Sequence, residues 1–136
     1  MTRFVHEIPV RFADTDAQGR VFFANYFTYF DEAMTGYLHA IGFPPARAAE
    51  MGVDFVYVDA QCSYRGAAAF EDRVHVQFSV TRVGTTSFSA EVEARVGDSL
   101  IVSGALVYVV VSVEGHQKTA VPEALRRAIE AFEGQA

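Results

Sequence analysis

The stretch Asp14-Thr15-Asp16-Ala17-Gln18-Gly19 is the one dense polar cluster between apolar segments, and it offers two carboxylates two residues apart. A calcium loop places oxygen ligands at its first, third and fifth positions, glycine at the sixth and a bidentate glutamate at the twelfth. Counted from Asp14, the ligands Asp14, Asp16 and Gln18 and the glycine Gly19 are present, but Asn25 stands where the glutamate belongs and no helix precedes the loop. Phosphoryl transfer to an aspartate calls for a parallel α/β sheet, and the chain has no second strand–helix–strand unit. Two readings remain. Both aspartates serve as turn and cap residues, where their side chains bond locally to the backbone. Alternatively, a carboxylate lies beside a helix N-terminus whose free N–H groups polarise a carbonyl, with Phe22, Phe23, Tyr26 and Phe27 excluding water. That is a layout for acyl transfer, the carboxylate acting as base or nucleophile.

Other chemistry-bearing residues are scattered. His6, His39, His75 and His116 have no close spacing for a metal, which needs three or four convergent ligands. Cys62 has no base near it in sequence and reads as a small core residue. Asp31 and Glu32 fall in the middle of a helix. One of them touches an acyl group or pairs across a dimer if that helix lines a pocket; otherwise both sit on an exposed face. Phe27, Phe30, Phe55 and Tyr57 are candidate pocket walls, though core packing explains them equally.

The elements that must position these residues follow from periodicity. Phe4 to Phe12 alternates, with Phe4, His6, Ile8, Val10 and Phe12 on one side, and Pro9 marks a sheet edge. From Phe23 to Ile41, Tyr26, Phe30, Ala33, Tyr37 and Ile41 recur at helical spacing, widened by Phe27, Met34 and Leu38. Gly42 caps that helix, and Pro44-Pro45 forbids its continuation. Four strands follow, over 53–65, 73–83, 86–96 and 100–113. Val102, Leu106, Tyr108 and Val110 make one face of the last strand apolar, and Ile101, Val107, Val109 and Val111 the other. Pro122 opens a short helix with Leu125, Ile129 and Phe132 inward. The expected fold is α+β, an antiparallel five-stranded sheet wrapped around one long helix. Because one helix covers one face, the doubly apolar strand implies a second subunit on the other.

Composition narrows the function. The chain has 136 residues, enough for one domain over 1–136, and half of them (51%) are hydrophobic, which excludes disorder. No apolar run reaches the roughly 20 residues of a membrane helix, and the start has no apolar stretch resembling a signal peptide. A single cysteine cannot form an internal disulfide and fits a cytoplasmic protein. A net charge of −6 argues against a broad nucleic-acid surface.

The run Asp14-Thr15-Asp16-Ala17-Gln18-Gly19-Arg20-Val21-Phe22-Phe23-Ala24-Asn25-Tyr26 closely resembles the signature of the 4-hydroxybenzoyl-CoA thioesterase family of hotdog-fold proteins, D-x-D-x-x-G-x-V-[FYW]-[FYH]-x-[NS]-Y. The resemblance extends to the strand order, to Phe30-Asp31-Glu32-Ala33 and to Phe70-Glu71-Asp72, so it spans most of the chain. It implies hydrolysis of an acyl-CoA thioester without metal or organic cofactor. The family's catalytic carboxylate falls on Asp16, as nucleophile or general base, and its carbonyl-polarising N–H on Phe23. Asp14 would hold the loop in shape, and Gly19 would supply a conformation other residues resist. Gly19, Val21, Phe22, Tyr26, Asp31, Phe55 and Tyr57 would contact the substrate.

Two departures stand out. Relatives associated with the Tol–Pal cluster carry histidine where Phe23 stands, which moves this chain toward the aryl- or acyl-CoA branch. The family often carries a basic cluster for the CoA phosphates on the hairpin at Gly84, and here that hairpin has one cation. CoA would be held by Arg82 and the hydroxyls of Thr86 and Ser87, unless this is an ordinary turn. The competing function is a non-catalytic acyl-CoA-binding hotdog module. A hydratase fits less well, because the Asp16 segment lacks the histidine such enzymes use. A homodimer with a continuous sheet, paired into a homotetramer and with sites at subunit junctions, completes the expectation.

Overall fold

The structure is a computed structural model that describes residues 4–134. Its strands are β1 (Val5–Pro9), β2 (Val53–Tyr64), β3 (Arg73–Val83), β4 (Ser87–Val96) and β5 (Ser99–Ser112), and its helices α1 (Asn25–Ala40), α2 (Pro45–Glu50) and α3 (Glu123–Glu133). The strands form one antiparallel sheet in the order β1-β3-β4-β5-β2. Period-two patterning decides which face meets the helix. Val74, Val76, Phe78 and Val80 of β3, and Phe88, Ala90, Val92 and Ala94 of β4, are buried. Against this face lies α1, whose Tyr26, Phe30, Ala33 and Tyr37 are buried in turn. Tyr37 packs on Phe78 at 5.1 Å and on Phe132 of α3 at 5.5 Å between ring centroids. This is the hotdog arrangement, a sheet wrapped around one long helix.

Local signals explain where α1 ends. Gly42 adopts φ +80°, the Gly42 N–H donates to the His39 carbonyl (3.1 Å) and the Phe43 N–H to the Leu38 carbonyl (2.8 Å). That is a Schellman cap. Pro44-Pro45 does stop α1, but Pro45 then opens α2, a helix the periodicity did not reveal; proline is favoured at a first helical position.

The first strand is shorter than its alternation predicts. It stops at Pro9, and Phe12 is 74% exposed although Ile8 and Val10 are buried. Residues 12–14 form a 3-10 turn instead, closed by the Asp14 N–H on the Arg11 carbonyl (3.0 Å). At the other end of the chain, Glu133 closes the fold. Its carboxylate accepts the Tyr37 hydroxyl (2.6 Å), the Ser79 hydroxyl (3.1 Å) and the Val80 N–H (3.0 Å), which lies beyond the reach of the short β1.

The face away from α1 corrects one expectation. At its centre it carries Gln61, Ser63, Gln77, Ser79, Glu91, Glu93 and Ser103, so it is polar and not the open apolar face inferred from β5. On β5 the apolar residues of that face are buried only toward the two ends, at Ile101 and at Val109 and Val111, where the returning chain sets Lys118 opposite Val111. The exposed apolar side chains of the sheet cluster instead on the edge strand β2, at Tyr57, Val58 and Tyr64.

Candidate active site

Asp14 is the one buried charged residue among those described, 4% exposed. Its carboxylate accepts the Arg11 guanidinium (2.8 Å), the Arg11 N–H (3.1 Å) and the Tyr29 hydroxyl (2.8 Å). Its carbonyl accepts the Phe22 N–H (2.9 Å) and the Asn25 side-chain amide (2.9 Å). Burial alone would raise its pKa, but the bonds from Arg11 and Tyr29 outweigh burial and hold it below the ordinary value. Tyr29 is pushed up, by burial and by donating to that carboxylate. Asp14 therefore ties the loop to the first turns of α1.

Asp16 lies two residues on and is half-buried. Its N–H donates to the Arg20 carbonyl (2.9 Å), its carbonyl accepts the Gly19 N–H (2.9 Å), and Oδ1 accepts the Gln18 N–H (2.9 Å). Gly19 makes this turn at φ +75°, a region strained for residues with a side chain. The turn rests against residues 68–69. Arg20 pairs with Ala69, and the N–H of buried Val21 donates to the Ala68 carbonyl (2.9 Å). The second carboxylate oxygen of Asp16 has no hydrogen-bond partner among the described residues.

The loop leads straight into the N-terminus of α1. Phe22 and Phe23 are 43% and 60% exposed, with ring centroids 4.9 Å apart. The Phe23 carbonyl accepts the hydroxyl of Tyr64 on β2 (2.9 Å), and buried Tyr26 accepts the Ala68 N–H on its hydroxyl (3.0 Å). The Phe23 N–H finds no acceptor among the described residues. One junction thus presents a carboxylate oxygen and a backbone N–H, both unpartnered, beside aromatic rings. A carbonyl oxygen and an attacking water or carboxylate have complementary partners there.

A cleft of about 430 Å³ between α1 and β2 is lined by Phe27, Thr28, Asp31, Tyr57, Ala60 and Leu106. The Tyr57 hydroxyl donates to Asp31 Oδ1 (2.6 Å), and its ring lies 4.7 Å from that of Tyr108, whose buried hydroxyl has no partner among the described residues. Phe55 is half-buried and meets Phe88 edge-on at 5.5 Å. Phe30 is wholly core, at 0% exposure.

The remaining predicted residues gather elsewhere. Arg82, Thr86 and Ser87 share the β3–β4 hairpin. Ser87 is opposite Val109 of β5, while Tyr64, next to the Asp16 loop, is opposite Val102. The strand rise puts these two positions roughly 23 Å apart along β5. Within one protomer the hairpin does not meet Asp16. Three residues that sequence reasoning missed are Arg11, Tyr29 and Tyr64. Tyr29 lies one helical turn from Asn25 and was open to a spacing argument. Tyr64 is 41 positions from Phe23 and carried no local signal. Among the described residues no three histidine, cysteine or acidic side chains converge as a metal site.

Residues 18–103 match the family model of the thioesterase superfamily. A protein of Aquifex aeolicus (strain VF5), which carries only a provisional esterase name, is 34% identical over 86 residues, 63% of this chain and 67% of that protein. A 1,4-dihydroxy-2-naphthoyl-CoA hydrolase of Synechococcus sp. (strain CC9605) is 26% identical over 128 residues, 90% of this chain and 86% of its own. The solved structure of a gentisyl-coenzyme A thioesterase superposes with a TM-score of 0.82 at 30% identity, covering 92% of this chain and 98% of that one.

Proposed function

The chain belongs to the thioesterase superfamily and is a thioester hydrolase, and from that premise we propose that it cleaves an acyl- or aryl-CoA thioester to the free acid and CoA. Asp16 is the catalytic carboxylate and the Phe23 N–H the group that polarises the thioester carbonyl. The observation that carries this reading is their common junction, where one oxygen of Asp16 and the Phe23 N–H both lack a partner among the described residues. The reaction consumes one water. Its oxygen ends in the carboxylic acid, and the sulfur leaves as the thiol of CoA, taking a proton. Asp16 either takes the proton of the attacking water or attacks the carbonyl itself and forms an anhydride that water opens. In both routes the negative charge gathering on the carbonyl oxygen lies at the start of α1, where the backbone donors and the helix dipole favour it.

The acyl group occupies the cleft beside α1, between Phe27 and Tyr57, with Asp31 and Tyr57 as its polar end. The names of the relatives, a dihydroxynaphthoyl-CoA hydrolase and a gentisyl-CoA thioesterase, support an aromatic acyl group. The site is completed by a second copy. β2 is a long edge strand with exposed Tyr57, Val58 and Tyr64. Pairing two such edges antiparallel brings the partner's end of the sheet that bears the β3–β4 hairpin toward the Asp16 loop. That supplies the Arg82, Thr86 and Ser87 set that one protomer keeps apart from Asp16. A homodimer, or a homotetramer of two such dimers, working on CoA esters in the cytoplasm, is the resulting picture.

The test is Asp16→Asn assayed against a panel of aliphatic and aromatic acyl-CoAs by thiol release. The folded variant loses at least about a hundredfold in kcat. Wild-type turnover by Asp16→Asn removes Asp16 from the mechanism. A wild-type protein that binds these thioesters but releases no thiol is a binding module instead.

A further inference from the structure

Ala24 stands at the N-cap of α1 and offers no side-chain cap. The helix itself holds Phe23 loosely. The Tyr26 N–H reaches the Phe23 carbonyl only at 3.4 Å, and the Phe27 N–H turns to the Ala24 carbonyl (3.2 Å). Burial does not anchor Phe23 either, since its ring is largely exposed. The short bond to the Phe23 carbonyl comes from the Tyr64 hydroxyl, at 2.9 Å. Tyr64 is well braced for this. It is the last residue of β2, opposite Val102 of β5, and the next N–H, that of Arg65, donates to the Ile101 carbonyl (2.8 Å). Its ring meets those of Tyr26 and Phe23 edge-on, at 5.9 and 6.2 Å between centroids. Tyr26 is in turn buried and bound to the Ala68 N–H (3.0 Å). On the other side of Phe23, the Phe22 N–H donates to the Asp14 carbonyl (2.9 Å), and the Phe22 carbonyl accepts the Asn25 N–H (2.8 Å).

We infer that Tyr64 is a positioning residue for thioester cleavage: by holding the Phe23 carbonyl, its hydroxyl fixes the direction in which the Phe23 N–H points. The inference rests on the Phe23 reading above and names the group that makes that donor rigid. A backbone N–H stabilises developing charge best when it is already aimed and need not reorganise as the charge appears. Without the Tyr64 bond, the carbonyl of Phe23 keeps only the long contact from Tyr26, and the residue is held from the Phe22 side alone. A donor displaced by a fraction of its hydrogen-bond length loses most of its effect on rate. The cost falls on the transition state, because only there does the thioester oxygen take up full negative charge. Tyr64 is not among the residues lining the acyl cleft, so its hydroxyl can be removed with the acyl contacts left in place.

The experiment uses Tyr64→Phe, which removes the hydroxyl and keeps the ring. Against an acyl-CoA, kcat falls about tenfold or more while KM stays within about threefold. An unreactive ketone analogue of the acyl-CoA, with methylene in place of the thioester sulfur, reads the donor without turnover. Bound to wild type, its isotope-labelled carbonyl stretches at a lower infrared frequency than in solution; bound to Tyr64→Phe, the frequency returns toward the solution value. Placing 4-aminophenylalanine at position 64 restores a donor at the end of the ring, and with it most of the lost kcat. A wild type that shows no lowered stretch removes the Phe23 N–H from the mechanism and this proposal with it. A lowered stretch in wild type that Tyr64→Phe leaves unchanged, or a kcat in Tyr64→Phe equal to wild type, overturns the proposal alone. So does a rise in KM that accounts for the whole loss of activity. A Tyr64→Phe protein that sediments more slowly than wild type assigns the loss to assembly and overturns it as well.

Discussion

Asp14 and Asp16 stand two residues apart and meet opposite environments. Asp14 is buried and saturated, its carboxylate taking the Arg11 guanidinium, the Arg11 backbone N–H and the Tyr29 hydroxyl, whereas Asp16 keeps an oxygen without a partner among the described residues. Removing a buried acceptor leaves its donors unsatisfied, so Asp14→Ala should cost about 2–4 kcal/mol in urea unfolding. The pH dependence has a definite sign. Because the folded-state pKa of Asp14 is lowered, its stabilisation is complete above the unfolded value of about 3.9 and disappears as pH falls through the folded value. Scanning calorimetry below about pH 5 should show Tm falling more steeply in wild type than in Asp14→Ala. The motif made both aspartates visible in the sequence. Which of the two is tied up was decided by Arg11 and by Tyr29, and only folding aligns Tyr29 with the loop.

At the scale of elements, periodicity located α1 and four of the five strands to within a residue or two, because their buried faces repeat at the spacing the backbone imposes. It failed where a local bond overruled the pattern. The alternation from Phe4 to Phe12 continues past Pro9, but the 3-10 turn closed by Asp14 pulls Phe12 out of the strand. It also gave no warning of α2, which is short and has only Ala48 buried. The cap of α1 is legible and testable. Gly42→Ala forces a side chain into φ +80° and should destabilise by about 1 kcal/mol in urea unfolding, with the m-value unchanged.

For the whole molecule, the reason to expect a second copy has moved. An apolar back face was inferred from β5, yet the centre of that face is polar, and the edge strand β2 carries three exposed apolar residues, Tyr57, Val58 and Tyr64. An open, twelve-residue edge strand is a template for pairing unless it is covered. Val58, 58% exposed at the irregularity between Tyr57 and Asp59, sits in the middle of that edge. Val58→Lys should shift sedimentation toward monomer and lower kcat/KM at least about tenfold, since a like charge from each copy would meet across the pair. A Val58→Lys protein that remains associated and active would place the interface elsewhere.

The sequence by itself determined the hotdog order of elements, the helix that fills the sheet and the loop-to-helix junction that bears Asp16 and Phe23. These are local properties, written in side-chain period, turn formers and a contiguous motif. Only the tertiary structure decided that Arg11 and Tyr29 together tie up the Asp14 carboxylate, that Tyr64 clamps the Phe23 carbonyl, that Phe12 and Phe70 share one exposed surface, and that Arg82, Thr86 and Ser87 lie at the far end of the sheet from Asp16. Most of these relations join residues far apart in the chain. They are fixed by strand register and by the packing of α1, and no local pattern encodes either.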